Sequence, residues 1–414
     1  MISKKSAALG AVALILVTAF FTAFLTVQVS TYIDIKNGDR IIVSKQDYQL
    51  LNTFYKKLET VRRDIENNYI EDTDREKLFE GALKGMVAAL EDPYSYYLTE
   101  EELEDFNVAT SGTYQGIGVQ IEKSEDNQIM IFQVFKNSPA MEAGLLTGDK
   151  IIKVDGQEVD WSVYEQAVAM MKSGEPGSTV TLTIVRDGET MEVEVRRDIV
   201  EIPDMEYEML DEDIGYIWLY SFDGQAAKNF KNAIEELQDK GMKGLILDLR
   251  GNGGGLLEVC REIADVLLPE GLVVYSESRS GKRTEYKSDA DALGIPLVIL
   301  VNEYSASASE VLTGAVQDYG VGTVIGTTTF GKGVVQTMKP YEDGGALKLT
   351  TYKYFTPKGR DIDKKGIEPD IKVEMTEEAI EFLKENPRES LPKELDAPLL
   401  RGIEEIKKKL EEAA

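Results

Sequence analysis

The chain has 414 residues, 74 acidic against 46 basic, a net charge of −28, no histidine and a single cysteine, Cys260. That acidity argues against a nucleic-acid or anionic-lipid surface, and the absent imidazole excludes a Ser-His-Asp triad. One thiol excludes an internal disulfide and a thiolate zinc cluster, so no metal and no cofactor are expected.

Lys4 and Lys5 precede an uncharged, mostly apolar run over residues 6–33. As a helix rising 1.5 Å per residue, this run is long enough for a bilayer core of about 30 Å. No strong small-x-small cleavage site follows Phe24. An uncleaved single-pass anchor over 1–33 is therefore expected, with the two lysines cytoplasmic and the rest outside.

Residues 34–110 read as helical. Over 46–70, Leu51, Phe54, Leu58, Val61 and Ile65 recur at spacings of three and four, which predicts a helix with one apolar stripe. The stripe must pack on the protein's own body or on a second copy, and a homodimer is the expected arrangement. A second helix over 75–90 leads through Asp92-Pro93 into the aromatic turn Tyr94-Ser95-Tyr96-Tyr97 and an acidic helix around 100–106.

From 111 to 200 the texture becomes short strands and glycine turns, with one helix over 163–171. Gly116-Ile117-Gly118-Val119 can aim successive N–H groups at one point, forming an anion nest beside a groove that takes a peptide's terminal carboxylate by strand addition. For the glycines alone, a tight turn in an ordinary small barrel is the better reading. Together with Ser138-Pro139-Ala140, Ala143-Gly144-Leu145, Gly148-Asp149-Lys150-Ile151 and Val154-Asp155-Gly156, however, they resemble a PDZ domain of the permuted type associated with bacterial proteases. Arg186, at a strand end, is the charge expected to link this groove to the following domain.

Residues 201–375 alternate strands (215–220, 243–249, 296–301, 321–326) with helices (226–239, 256–268, 307–319), which predicts a mixed sheet flanked by helices. The tail, 376–414, is charged and helical. The expected fold class is α/β in the multidomain α+β sense: a mixed-sheet core, an inserted β-rich module, and helical segments at both ends.

Three motifs in the core could carry chemistry. The buried strand ending at Asp248-Leu249 runs into Arg250-Gly251-Asn252-Gly253-Gly254-Gly255, where backbone N–H groups can approach a phosphate or an oxyanion. Leu256 stands where a dinucleotide fingerprint needs glycine. Gly326-Thr327-Thr328-Thr329-Phe330-Gly331-Lys332 nearly completes a nucleotide-binding P-loop. It is followed by Gly333 instead of Ser or Thr, and then by a strand-like Val334-Val335. Ser305-Ala306-Ser307-Ala308-Ser309-Glu310 opens a helix. The small neighbours admit a substrate backbone, and the helix N-terminus favours a developing anion. Without histidine, a lysine is the main candidate for its base. Depressing a lysine pKa by roughly three units costs about 4 kcal/mol.

The serine cluster, Phe330-Gly331-Lys332-Gly333 with Gln336, the Asp248-Leu249-Arg250-Gly251-Asn252 loop and Gly366-Ile367-Glu368-Pro369-Asp370 together resemble the carboxyl-terminal processing (tail-specific) peptidases. The resemblance implies Ser307 as nucleophile, Lys332 as general base, Gln336 orienting the amine, and backbone N–H groups of Ala308 and of Gly254 or Gly255 as oxyanion donors. Glu310 is expected to be structural, and the strand over 346–354 to lie beside the substrate or to serve the core. The resemblance further implies a bacterial, membrane-anchored, extracytoplasmic serine endopeptidase acting on protein substrates with free, apolar C-termini, which it reads through Gly116, Ile117, Gly118, Val119 and Arg186. The competing readings are a non-catalytic PDZ scaffold and a P-loop nucleotide-binding protein.

Overall fold

A computed structural model describes residues 18–22, 44–211, 213–289, 292–386 and 391–413. The anchor expected over 1–33 lies outside these residues apart from 18–22, and no helix among the described residues is long and apolar enough to cross a membrane. The chain divides into two compact units, 1–82 and 83–414.

In the first unit, α1 (Lys45–Asn68) starts where the Ser44 hydroxyl accepts the Asp47 N–H at 3.1 Å. Leu51, Phe54 and Val61 of its apolar stripe are exposed. Helix α2 (Arg75–Ala88) straddles the boundary between the units.

The second unit continues with β1 (Tyr96–Leu98), α3 (Glu100–Ser111) and β2 (Thr113–Gly116). The small module then builds β3 (Val119–Lys123), β4 (Ile129–Val134), the short α4 (Pro139–Glu142), β5 (Lys150–Val154), β6 (Gln157–Glu158), α5 (Tyr164–Lys172), β7 (Thr179–Arg186) and β8 (Glu189–Arg196). Strands β3-β4-β5-β7-β8 form one antiparallel sheet. Its inward residues Ile131, Ile151, Leu182 and Ile184 close a core of the module's own. β9 (Asp198–Glu201) returns antiparallel to β2, and the Ile202 N–H donates to the Gly112 carbonyl at 2.8 Å. The module therefore hangs on its entering and leaving strands, paired side by side.

The core consists of β10 (Met205–Asp211), β11 (Ile214–Leu219), α6 (Ala226–Asp239), β12 (Gly244–Asp248), α7 (Leu257–Leu267), β13 (Gly271–Ser278), β14 (Arg283–Ser288), β15 (Leu297–Val301), α8 (Ala308–Tyr319), β16 (Thr323–Gly326), β17 (Val334–Pro340), β18 (Ala346–Phe355) and β19 (Ile371–Lys372). Helices α9 (Glu377–Glu385) and α10 (Ala397–Ala413) close it. The sheet β10-β11-β12-β15-β16-β19 is parallel except for its edge strand β10. Period-two alternation sends Leu245 and Leu247 toward α6, α7 and α8, and sends Ile246 to the other face, where Val298 and Leu300 meet Leu399, Ile403 and Ile406 of α10. Covered on both faces, β12 and β15 are apolar throughout apart from Asp248, as buried parallel strands are.

Strands β10, β13 and β14 lie in segments where the sequence reading assigned none. β13, β14, β17 and β18 form a second sheet with β1. β18 is flanked by β17 on one edge and by β1 and β13 on the other. This makes it an interior strand, paired along one edge by β17 and at both ends of the other by β1 and β13. Among the described strands β17 pairs only with β18, leaving its other edge unpaired, and it starts two residues after Lys332.

Candidate active site

The site forms where three loops leave the C-terminal ends of parallel strands, the usual binding edge of an open α/β sheet. After β12, Asn252 is fully buried and acts as the hub of the glycine loop. Its Nδ2 donates to the Leu219 carbonyl at 2.9 Å, and its Oδ1 accepts the Gly254 N–H at 2.8 Å. A Cβ at Gly254 would stand 2.8 Å from that of Ser307 and 3.0 Å from the Ala308 nitrogen, at φ +105°. Only glycine lets this loop press against the serine cluster.

After β15, the three serines have different surroundings. Ser305 Oγ donates to the Leu249 carbonyl at 2.7 Å and Ser309 Oγ to the Asn252 carbonyl at 2.9 Å, so both hydroxyls fasten the cluster to the glycine loop. The Ser307 hydroxyl donates to no group among the described residues. Ser307 starts α8 at φ 57°, ψ −112°, a strained conformation for a residue with a Cβ. The N–H groups of Ala308 and Gly255 make no hydrogen bond among the described residues, whereas that of Gly254 is committed to Asn252.

After β16, the lysine loop is held by Glu310, one turn into α8 and fully buried. Its Oε1 accepts from Thr329 Oγ1 and the Gly331 N–H, each at 2.6 Å. Its Oε2 accepts from the N–H groups of Lys332 at 2.8 Å and Ser307 at 2.9 Å. One carboxylate thus ties the backbone of Ser307 to the backbone of Lys332, a more specific task than the structural role expected of it. The residues after Lys332 form β17, not the helix a P-loop requires, which removes the nucleotide-binding reading.

The Lys332 side chain is half-buried. Burial and the neighbouring Lys348 ammonium lower its pKa, against the opposing pull of Asp92 and Glu310. Its Nζ lies 4.6 Å from the centroid of the Tyr94 ring and forms no hydrogen bond with Ser307 or Gln336 among the described residues. Gln336 Nε2 instead donates to Thr350 Oγ1 at 3.1 Å. The structure therefore brings Ser307, Ala308, Gly254 and the Lys332 loop together and turns the Gln336 amide toward β18.

In the module, Gly116-Ile117-Gly118-Val119 opens β3 beside α5. Tyr114 turns its phenol toward the N–H groups of Gly118 and Val119, and burial raises its pKa while those N–H groups oppose the shift. Lys172 Nζ, at the end of α5, lies 5.7 Å from the same ring. Gln115 Nε2 donates to the Lys172 carbonyl at 3.0 Å, fixing β2 to the end of the helix. Arg186 forms a bidentate pair with the buried Asp149, both contacts at 2.6 Å, and donates to the Gly144 carbonyl. It is engaged inside the module, and no contact of it with the core is found among the described residues.

Behind the glycine loop, Arg250 clamps Asp248 of β12 and Asp396 before α10, the latter at 2.7 and 2.8 Å. Asp396 also accepts the Leu399 N–H at 3.1 Å. Asp396 was not singled out in the sequence reading, and Asn252 stood there only as part of the loop motif, with no role of its own. The signal available for Asn252 was a polar residue set among four glycines.

A peptide-groove module joined to an α/β core with a strained serine at a helix start defines a PDZ-bearing serine-type peptidase. Residues 213–373 match peptidase family S41, 115–196 a PDZ domain, and 16–102 the activating protease CtpB N-terminal domain. The chain is 36% identical over 369 residues to the carboxy-terminal processing protease CtpA of Bacillus subtilis (strain 168), covering 88% of this chain and 77% of that one. It is 37% identical over 368 residues to a CtpA-like serine protease of Staphylococcus aureus (strain COL), with coverages of 88% and 72%. A solved S41-type structure from Bacteroides fragilis NCTC 9343 shares the fold, with a TM-score of 0.52 at 19% identity over 83% of this chain and 92% of that one. The chain belongs to the carboxyl-terminal processing proteases of family S41, serine-type peptidases with a PDZ domain.

Proposed function

We propose that this peptidase cleaves proteins by a Ser307–Lys332 dyad and selects them by their C-terminal tails. The observation carrying this reading is that Ser307 alone of the three clustered serines has a hydroxyl free to donate, while Glu310 fixes its backbone to that of Lys332. Neutral Lys332 takes the Ser307 proton, Ser307 attacks the scissile carbonyl, and the Ala308 N–H and a glycine-loop N–H stabilise the oxyanion. Lys332 then protonates the leaving amine, and water repeats the sequence to release the acyl group. Gly254 N–H points to Asn252, so Gly255 is the donor to test first. Gln336 serves the amine after turning from Thr350.

The nest at Gly116 to Val119 receives the terminal carboxylate of a protein with an apolar tail. The run over 6–33 anchors the enzyme in the bacterial cell membrane with its catalytic part outside. The exposed stripe of α1 supports pairing with a second copy.

Cleavage of an unstructured protein with an apolar tail, by the full-length chain in detergent, tests this reading. Ser307→Ala and Lys332→Ala should each lower turnover by at least about a thousand-fold, and amidation of the tail should slow the parent enzyme. Activity surviving Ser307→Ala would name another nucleophile.

A further inference from the structure

We propose that Tyr94 is a positioning residue for Lys332, its ring face holding the protonated side chain aside and releasing it toward Ser307 when the amine becomes neutral. The inference rests on the reading of Lys332 as the general base. An aromatic face attracts an ammonium through its quadrupole and has little hold on a neutral amine. Charge state and position are thereby coupled: the amine leaves the ring in the form that can accept the serine's proton.

The ring is held firmly enough for this task. Asp92 Oδ1 accepts the Tyr94 N–H at 3.1 Å, and Asp92 Oδ2 accepts from Ser95 Oγ at 2.5 Å. Ser95 Oγ in turn accepts the Thr350 N–H from β18 at 2.9 Å. Thr350 is also the residue that receives Gln336, so the Tyr94 turn and the Gln336 amide meet on one strand position. Burial works against the Asp92 carboxylate, but the hydrogen bonds from Ser95, Thr350 and the Tyr94 N–H, with the Lys332 charge, keep it below the usual carboxylate range.

Other charges face the same amine. Asp92 and Glu310 favour the ammonium, and Lys348 opposes it. Lys348 is itself fixed, with Nζ 2.9 Å from the Tyr96 hydroxyl and 4.8 Å from the Phe106 ring centroid. Asp363 faces the Tyr94 phenol. None of these groups supplies a preference for the charged form that depends on an aromatic face, which makes the contribution of Tyr94 separable.

The test is the pH dependence of Ser307 labelling by a fluorophosphonate, on the full-length chain in detergent, with Ser307→Ala and Lys332→Ala as controls. Removing the ring in Tyr94→Leu destabilises the ammonium, so the midpoint of the labelling rate should move about one unit toward acid. Tyr94→Phe should keep the parent midpoint. Fluorinated phenylalanines at position 94 weaken the ring face without changing its shape, and should lower the midpoint stepwise even if Tyr94→Leu fails to fold. A midpoint that stays flat across the fluorinated series overturns the role of Tyr94 while leaving the dyad intact. PH-dependent labelling that persists in Lys332→Ala overturns the dyad reading, and the inference with it.

Discussion

Lys332 illustrates how one side chain can be costly to the fold while suiting the reaction proposed for it. Its folded-state pKa lies below the ordinary lysine value, so between the two values the unfolded chain binds more protons than the native one, and stability rises with pH. The penalty is fully present below the lowered folded-state value and disappears as pH climbs past about 10.4. Lys332→Met should therefore raise the urea midpoint at pH 6 and keep a smaller part of that advantage at pH 10; an equal gain at both pH values would trace the effect to packing. Ser307 and Lys332 could be proposed from the sequence because the motifs that carry them are short and local. The role of Glu310 could not, because its partners at Thr329, Gly331 and Lys332 are brought to it only when β16 lies beside β15. Tyr94 was visible merely as part of an aromatic turn.

At the scale of elements, α6 was read with its observed bounds because Phe230, Ala233, Ile234 and Leu237 fall on one helical face. β14 escaped because Arg283, Glu285 and Lys287 alternate with only Thr284 and Tyr286, a pattern shared by polar loops. The module's sequence suggested a carboxylate nest at Gly116 to Val119, and β2 turns the Tyr114 phenol toward the N–H groups of Gly118 and Val119. Tyr114→Phe removes that oxygen and keeps the ring beside Lys172. The variant should bind a free-carboxylate apolar peptide some two- to ten-fold more tightly, as expected for one displaced hydrogen-bonding group, with no gain for the amidated peptide. Fluorescence anisotropy of the two labelled peptides reads the difference; tighter binding of both would point to steric relief instead.

For the second unit as a whole, the division of labour follows the paired strands. Two hydrophobic clusters, one inside the module and one beneath α6, α7 and α8, share no sheet among the described residues, and the β2–β9 ladder carries the chain between them. Beside that ladder, the Gly224 N–H donates to the Thr110 carbonyl at 3.0 Å. Two residues earlier, Phe222 exchanges backbone hydrogen bonds with Gly254 and Leu256, so the junction reaches the glycine loop through very little chain.

The pairing of Gly112 with Ile202 also makes the module a replaceable cassette. Because its two ends are one hydrogen bond apart, residues 113–201 can be exchanged for a few glycines and serines without stretching the core, and closing so short a loop carries little entropic cost. Such a chain should still fold and still label at Ser307, while its cleavage of tailed proteins becomes indifferent to amidation. A different peptide-binding domain with neighbouring termini, grafted at the same two positions, would then redirect one peptidase to a new set of addresses.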